Sequence, residues 1–185
     1  MDAERTRRIQ QRLDDLHGRH LDLGEAEEDV VRYYSPERGY YGPDQADEES
    51  ERFSICLVGV DGSVHLSGDH DAAFALSSLS KVFVYGLALE EHGRDEVERQ
   101  VGVKPSADSF AALGFDEHTN RPYNPMVNAG ALATSDLVLG EASPETAFQR
   151  VLDVLRRYSG NESLVVDERT FEAEMRGADR NRATA

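Results

Sequence analysis

Apolar residues recur along this 185-residue chain in two rhythms, and the change of rhythm marks its parts. Ile9, Leu13 and Leu16 fall on one stripe of an otherwise charged stretch, which predicts an amphipathic edge helix over residues 3–16. A second short helix is expected over 25–33, ending at Tyr34-Ser-Pro36, because the residue before a proline avoids the helical region. At Phe53 the rhythm changes. The run 53–60 is almost continuously apolar and predicts a strand buried on both faces, Asp61-Gly62 signals a hairpin turn, and 63–67 returns as the partner strand. From about Ser78 to His92 the apolar positions return to helical spacing, densely enough for a largely buried helix stopped by Gly93. A short helical piece over 95–101 precedes an irregular segment from Pro105 to Pro125, too long for an idle connection in a compact domain. Three more helices are expected: about 128–139, one capped by Ser143-Pro-Glu-Thr and running to Tyr158 before Gly160, and about 167–175.

This length supports one domain with a proper core and too little chain for two. Residues 1–52 read as N-terminal helices and an acidic loop, and 53–185 as the main part of what is effectively a single domain. The loop, 37–52, is rich in glycine, tyrosine and acid; Tyr33, Tyr34, Tyr40 and Tyr41 read either as aromatic packing or as a pocket mouth.

Charge narrows the partners. A net charge of −16 and a pI near 4.7 argue against nucleic acid and anionic membrane. The excess of acid, with 18 arginines against two lysines, fits salt adaptation or nucleotide bias equally. Cys56 is the only cysteine, so no intrachain disulfide forms, and its place in an apolar strand predicts an inert thiol. The N-terminus leads into no apolar stretch of signal-peptide kind, and the expectation is a soluble, cytoplasmic protein. No phosphate-binding loop, dinucleotide fingerprint or zinc spacing occurs, so neither cofactor nor metal is expected. His17 and His20 read as solvated surface, and Glu90-Glu91 as a solvated helix face.

Two stretches carry candidate chemistry. Ser78 and Lys81 form Ser-x-x-Lys at the start of the buried helix, where positions three apart share a face. Serine needs a base before it is a nucleophile, and a lysine can be that base only when neutral, against an ordinary pKa of about 10.4. Burial lowers it. The same helix start would aim the Ser78 N–H at a developing oxyanion. The alternative is a capping serine beside a lysine that snorkels to solvent, and Ser77, four before Lys81, is a second possible nucleophile. The other stretch is Asn124-Pro-Met-Val-Asn-Ala-Gly-Ala131. Its small residues let backbones approach closely while amides point into a cavity; alternatively, Asn-Pro is a turn capping the following helix.

Taken in order, VDGSVHLSGD, FALSSLSKVFVYGLALEEHG, VGVKPSADSF, RPYNPMVNAGALATSDLV and, more weakly, LRRYSGNESLVVDERTFEAEMRGADRNRA resemble the serine-dependent glutaminase family from about Leu13 onward. The resemblance implies a β-lactamase-like fold of the α/β (α+β) class, helix-rich with an antiparallel hairpin, and it covers the N-terminal part of the family domain. It implies hydrolysis of L-glutamine to L-glutamate and ammonia, by a homo-oligomer. Carried over by position, it makes Ser78 the nucleophile, Lys81 its base, and Tyr34, Asn128, Glu174 and Asn181 substrate contacts, with Glu174 suited to the α-ammonium. Ser77, Ala107, Ala111 and Ala173 depart from the family pattern. The family domain also continues beyond Asn181, with more strands, tyrosines and a glycine-rich oxyanion segment. Two rivals follow: an inactive glutaminase-like fragment that binds glutamine or glutamate or needs a complementary chain, and another Ser-x-x-Lys acyl-transferase of the penicillin-binding or β-lactamase kind.

Overall fold

The computed structural model describes residues 3–21, 52–106 and 114–176. The expected helix at 25–33, the acidic loop, Tyr34, Ala107, Ala111 and Asn181 therefore lie outside the described residues. The chain divides into two units, Met1–Phe74 with Glu168–Gly177, and Ala75–Asp167 with Ala178–Ala185.

In the first unit, helix α1 (Ala3–His20) buries Leu13 and half-buries Ile9 and Leu16, the expected stripe. It runs a turn longer than the periodicity predicts because His17 is held rather than solvated. Its ring stacks on Phe53 with centroids 5.1 Å apart. Its Nε2 is 2.9 Å from the Phe53 carbonyl, which can only accept, so Nε2 carries the proton. Strands β1 (Ser54–Val58) and β2 (Val64–Gly68) pair antiparallel, with Cys56 opposite Leu66. The connection is longer than a two-residue hairpin. Gly59 N–H donates to the Ser63 carbonyl at 2.8 Å, Gly62 takes φ 79°, and the Asp61 carboxylate accepts from Ser63 N–H and Oγ.

Alternation places Ile55, Leu57, His65 and Ser67 on one face of this pair and Cys56, Val58, Val64 and Leu66 on the other. α1 covers the first face along β2: Ser67 Oγ donates to Asp14 Oδ1 at 2.8 Å, and Gln10 Nε2 to the Leu66 carbonyl at 2.8 Å. The second face is exposed, with Val58 at 64% and Val64 at 57%. The strand is therefore not buried on both faces, and Cys56 is exposed, not sequestered. An apolar run reads as doubly buried only where a sheet is covered on both sides, and this two-stranded sheet has one helix on one side among the described residues. Helix α6 (Glu168–Arg176) completes the unit.

The second unit is helical. A 3₁₀ turn (Ser77–Leu79) runs into α2 (Ser80–His92), followed by α3 (Arg94–Gln100), α4 (Asn128–Leu139) and α5 (Pro144–Ser159). α2 is central and packs against the other three. Val84, Leu87 and Ala88 of α2 meet Val97, Val101, Val138 and Val154 in one core; each fully buried Val or Leu contributes about 1.5–3 kcal/mol. Gly93, at φ 76°, both ends α2 and opens α3: its N–H donates to Leu89, and its carbonyl accepts from Val97. Ser143 Oγ accepts from Thr146 N–H ahead of Pro144, and Gly160 is left-handed, as the sequence predicts for α5. Glu90 and Glu91 are more than a solvated face. Glu91 pairs with Arg150 at 3.1 Å, and Glu90 accepts from the Tyr158 hydroxyl at 3.1 Å, which ties α2 to α5.

The long irregular segment has an internal hub. The Asp116 carboxylate accepts from Lys104 Nζ at 2.6 Å, from the N–H groups of His118 and Thr119, and from Thr119 Oγ1. Lys104 N–H donates to the Tyr123 carbonyl, and the Lys104 carbonyl accepts from Asn124 Nδ2 at 2.9 Å. Lys104 and Thr119 hold the Asp116 carboxyl well below the usual carboxylate range. Its ionised form thus stabilises the fold above the unfolded value of about 4, and that contribution is lost as pH falls toward the lower folded value. Thermal melts between pH 7 and pH 3 should show the melting temperature falling more steeply below about pH 4 in the wild type than in Asp116→Asn. Parallel curves would exclude Asp116 as an anchor.

Candidate active site

Ser78 sits in the 3₁₀ turn that leads into α2, and its side chain is exposed. Before it, Ser77 takes φ 41°, a left-handed conformation uncommon for a residue with a Cβ, and the Ser77 carbonyl accepts from Ser80 Oγ at 2.6 Å. The chain turns sharply there and then becomes helical, which presents Ser78 at the mouth of α2. Lys81 follows in the first turn of α2, half-buried. Burial pushes the Lys81 amine below the ordinary lysine value, the direction a lysine base requires. The amine donates to Asn128 Oδ1 at 2.6 Å and to the Met126 carbonyl at 3.2 Å.

Both acceptors come from the 124–131 stretch, in which the two asparagines do different work. Asn124 does not point into a cavity. Its Oδ1 accepts from the N–H groups of Met126 and Val127, and its Nδ2 donates to Lys104, so it organises the turn, as one of the two sequence readings expects. Asn128, the first residue of α4, faces Lys81. Gly130 lies buried where α4 passes over the turn: a Cβ there would collide with the Asn124 carbonyl oxygen and come within 2.8 Å of its carbon and 3.0 Å of Pro125 Cα. The close backbone approach expected from the small residues is therefore present at Gly130. It seats the Met126 carbonyl and Asn128 side by side.

Ser78, Lys81 and Asn128 thus belong to one unit, with Ser78 and Lys81 on continuous helical backbone and Lys81 bonded to Asn128. Glu174 lies on α6, exposed and within the other unit. Tyr34 and Asn181 lie outside the described residues. The Met126 carbonyl was not legible in the sequence, since any residue supplies a carbonyl; the Asn-Pro turn that aims it was the available signal. Among the described residues no cluster of His, Cys, Asp or Glu is placed to hold a metal ion. Nor is any helix among them long and apolar enough to cross a membrane.

This chain is similar along most of its length to proteins of one kind. A family model described as Glutaminase matches residues 39–185. A glutaminase of a Nostoc species is 45% identical over 173 residues, which cover 94% of this chain and 48% of the relative. A glutaminase of Clostridium tetani is 36% identical, covering 78% of this chain and 48% of the relative. Among solved structures, the native form of Mglu superposes with a TM-score of 0.75 at 34% identity, covering 96% of this chain and 41% of Mglu. A probable glutaminase of Bacillus subtilis superposes with a TM-score of 0.68 at 28% identity, covering 89% of this chain and 51% of that one. The chain spans about half the length of the curated relatives it matches. With more than half its residues under the family model and both kinds of likeness in agreement, the chain belongs to the glutaminase family.

Proposed function

We propose that this chain carries the nucleophile and base of a glutaminase site, hydrolysing L-glutamine to L-glutamate and ammonia. The observation that carries the reading is the desolvated Lys81 amine, seated on Asn128 and Met126 in the first turn of the helix that Ser78 opens. Ser78 Oγ attacks the side-chain carboxamide carbon as its proton passes to Lys81 Nζ. The resulting oxyanion is met by the Ser78 N–H at the helix start. The tetrahedral adduct collapses, the C–N bond breaks, and the proton on Lys81 goes to the departing nitrogen, which leaves as ammonia. Water, giving a proton to the same amine, then adds to the Ser78 ester; the acyl C–O bond breaks, the proton on Lys81 returns to Ser78 Oγ, and glutamate leaves. Tyr34, Glu174 and Asn181 are proposed to hold the amino-acid end of the substrate, Glu174 against the α-ammonium. Holding both charges lets only a side chain of the right length reach Ser78.

Ammonia release from L-glutamine and from L-asparagine by the purified chain tests this. Glutamine is expected to be preferred, although a single methylene is worth only about 1–3 kcal/mol. Acylation of Ser78 by a penicillin, with no action on glutamine, would instead favour a penicillin-binding type of acyl-transferase. A second reading is favoured by the exposed apolar sheet face of Cys56, Val58, Val64 and Leu66: the chain turns over only once a complementary polypeptide covers that sheet. Folded protein that binds glutamate but releases no ammonia would support it.

A further inference from the structure

We propose that the outer stripe of α2, formed by Leu79, Val82 and Gly86, seats the complementary polypeptide that completes a glutaminase domain, and that this polypeptide comes closest to the helix at Gly86. The inference rests on the second reading above and deepens it, because it names where in the helical unit such a partner docks.

Spacing defines the stripe. Leu79 has helical φ and ψ and leads directly into α2, so residues 79, 82 and 86, three and four apart, fall on one face. The opposite side of the same helix carries Val84, Leu87 and Ala88 into the core. Leu79 and Val82 are each 56% exposed, and the stripe they form with Gly86 holds no charged side chain in a chain that is 30% charged. A helix face that stays in water ordinarily carries charged and polar residues. This one has the composition of a covered face.

Gly86 supplies a second, independent observation. Glycine inside a helix is less favourable than alanine, because its backbone loses more freedom on folding, so its presence needs a reason. Conformation does not provide one, since Gly86 lies within α2 and takes no positive φ. Packing among the described residues does not provide one either: a Cβ on Gly86 would meet nothing within 4 Å, whereas at Gly130 the chain's own backbone fills that space. The open space at Gly86 fits the close approach of a backbone belonging to the occupant of the stripe.

Length, shape and charge select that occupant. The chain spans 48% of the Nostoc glutaminase and 41% of Mglu, so each holds more than half its length beyond the part matched, enough polypeptide to cover the stripe. A ridge along a helix is convex, whereas small molecules take concave sites. A second copy would set one net charge of −16 against another. A polypeptide that offers apolar side chains to Leu79 and Val82, and backbone to Gly86, avoids both objections. Ser78 stands four residues before Val82, so the covered stripe ends at the turn that presents the nucleophile.

The test is co-expression of this chain with the tagged half of the Nostoc glutaminase that it does not match, followed by affinity capture. The tagged half is expected to retain the wild-type chain. Gly86→Leu is expected to weaken retention by roughly 10–100-fold through overpacking, and Val82→Ser by about 10-fold through lost burial without added bulk. Isolated Gly86→Leu should melt no lower than the wild type, and Gly86→Ala about 1–4 °C higher, because the added atoms enter open space. Retention of Gly86→Leu and Val82→Ser as firm as that of the wild type would overturn the docking surface and leave the second reading standing. No complex with the wild-type chain would overturn both. An isolated wild type that is dimeric, and monomeric as Gly86→Leu, would put a second copy on the stripe and overturn the proposal. Isolated Gly86→Leu melting well below the wild type would show that the chain itself fills the space, with the same consequence. None of these measurements depends on turnover, so failure of the proposed chemistry at Ser78 stays distinct from failure of the docking surface.

Discussion

Ser78→Ala is expected to reduce ammonia release from glutamine to the background of a protein-free solution while leaving the fold unchanged. The two halves of this expectation rest on different observations. Ser78 is exposed at the head of α2 and contributes nothing to the core of Val84, Leu87, Ala88, Val97, Val101, Val138 and Val154. Exposed substitutions away from such features change stability by about 0.5 kcal/mol or less, so the melting temperature should hold. The chemistry, by contrast, has no substitute. Without the hydroxyl no acyl-enzyme forms, and Lys81 would have to deliver water to an amide directly. Losing a covalent nucleophile rather than a helper group is expected to cost more than the roughly 10²–10⁴-fold that a general base supplies. Acid-quenched mass spectrometry during turnover adds a second reading: a glutamyl adduct on the wild type and none on the variant. Ammonia release by Ser78→Ala at more than a hundredth of the wild-type rate would remove Ser78 from the mechanism, and Ser77, four residues before Lys81, would be the next nucleophile to test.

Gly130→Ala carries the second large effect, and its sign opposes the usual rule. Within a helix, alanine in place of glycine normally stabilises by about 0.5–1 kcal/mol. At Gly130 the added methyl would strike the carbonyl of Asn124 and crowd Pro125 Cα, backbone atoms that cannot rotate aside. Overpacking of a rigid neighbour costs about 1–3 kcal/mol, and backbone contact points to the upper end of that range. The clash therefore outweighs the propensity. A loss near 3 kcal/mol corresponds to a melting temperature lower by roughly 6–12 °C for a chain of this size. The damage falls on the site as well, because Asn128 and the Met126 carbonyl are both set by this crossing of α4 over the Asn124 turn. Lys81 should then titrate closer to the ordinary lysine value. A variant that melts within a degree of the wild type would mean that α4 slides over the turn at little cost, and the close approach would lose its role.

Much of the helical unit is written locally. Gly93 can stop α2 because a left-handed φ is open to glycine without penalty. Ser143 before Pro144 can cap α5 because the hydroxyl and the missing N–H act within a single turn. These devices work over three or four residues, so their spacing alone placed α2 to α5 within a residue or two of where they lie. The placing of Ser78 and Lys81 together at the head of α2 was legible for the same reason, since a three-residue spacing on helical backbone is local.

Burial and partnership were decided only by the tertiary structure. The run 53–60 is apolar enough for a doubly covered strand, yet exposure depends on what lies above and below a sheet, and α1 lies along one face only. His17 looked solvated until Phe53, 36 residues away in sequence, supplied a ring and a carbonyl. Glu90 and Glu91 found partners on α5, 68 and 59 residues on, for the same reason. The division of labour between Asn124 and Asn128 is the case that matters most for function. As letters the two are identical, and each could cap a turn or face a substrate. The crossing of α4 over its own entry turn, possible because residue 130 is glycine, directs one into the turn and the other to a lysine 47 positions earlier. By itself, then, the sequence determined the helices, the Ser-x-x-Lys spacing at the head of α2 and the family; contacts between residues far apart in the chain decided which amide and which carbonyl meet Lys81.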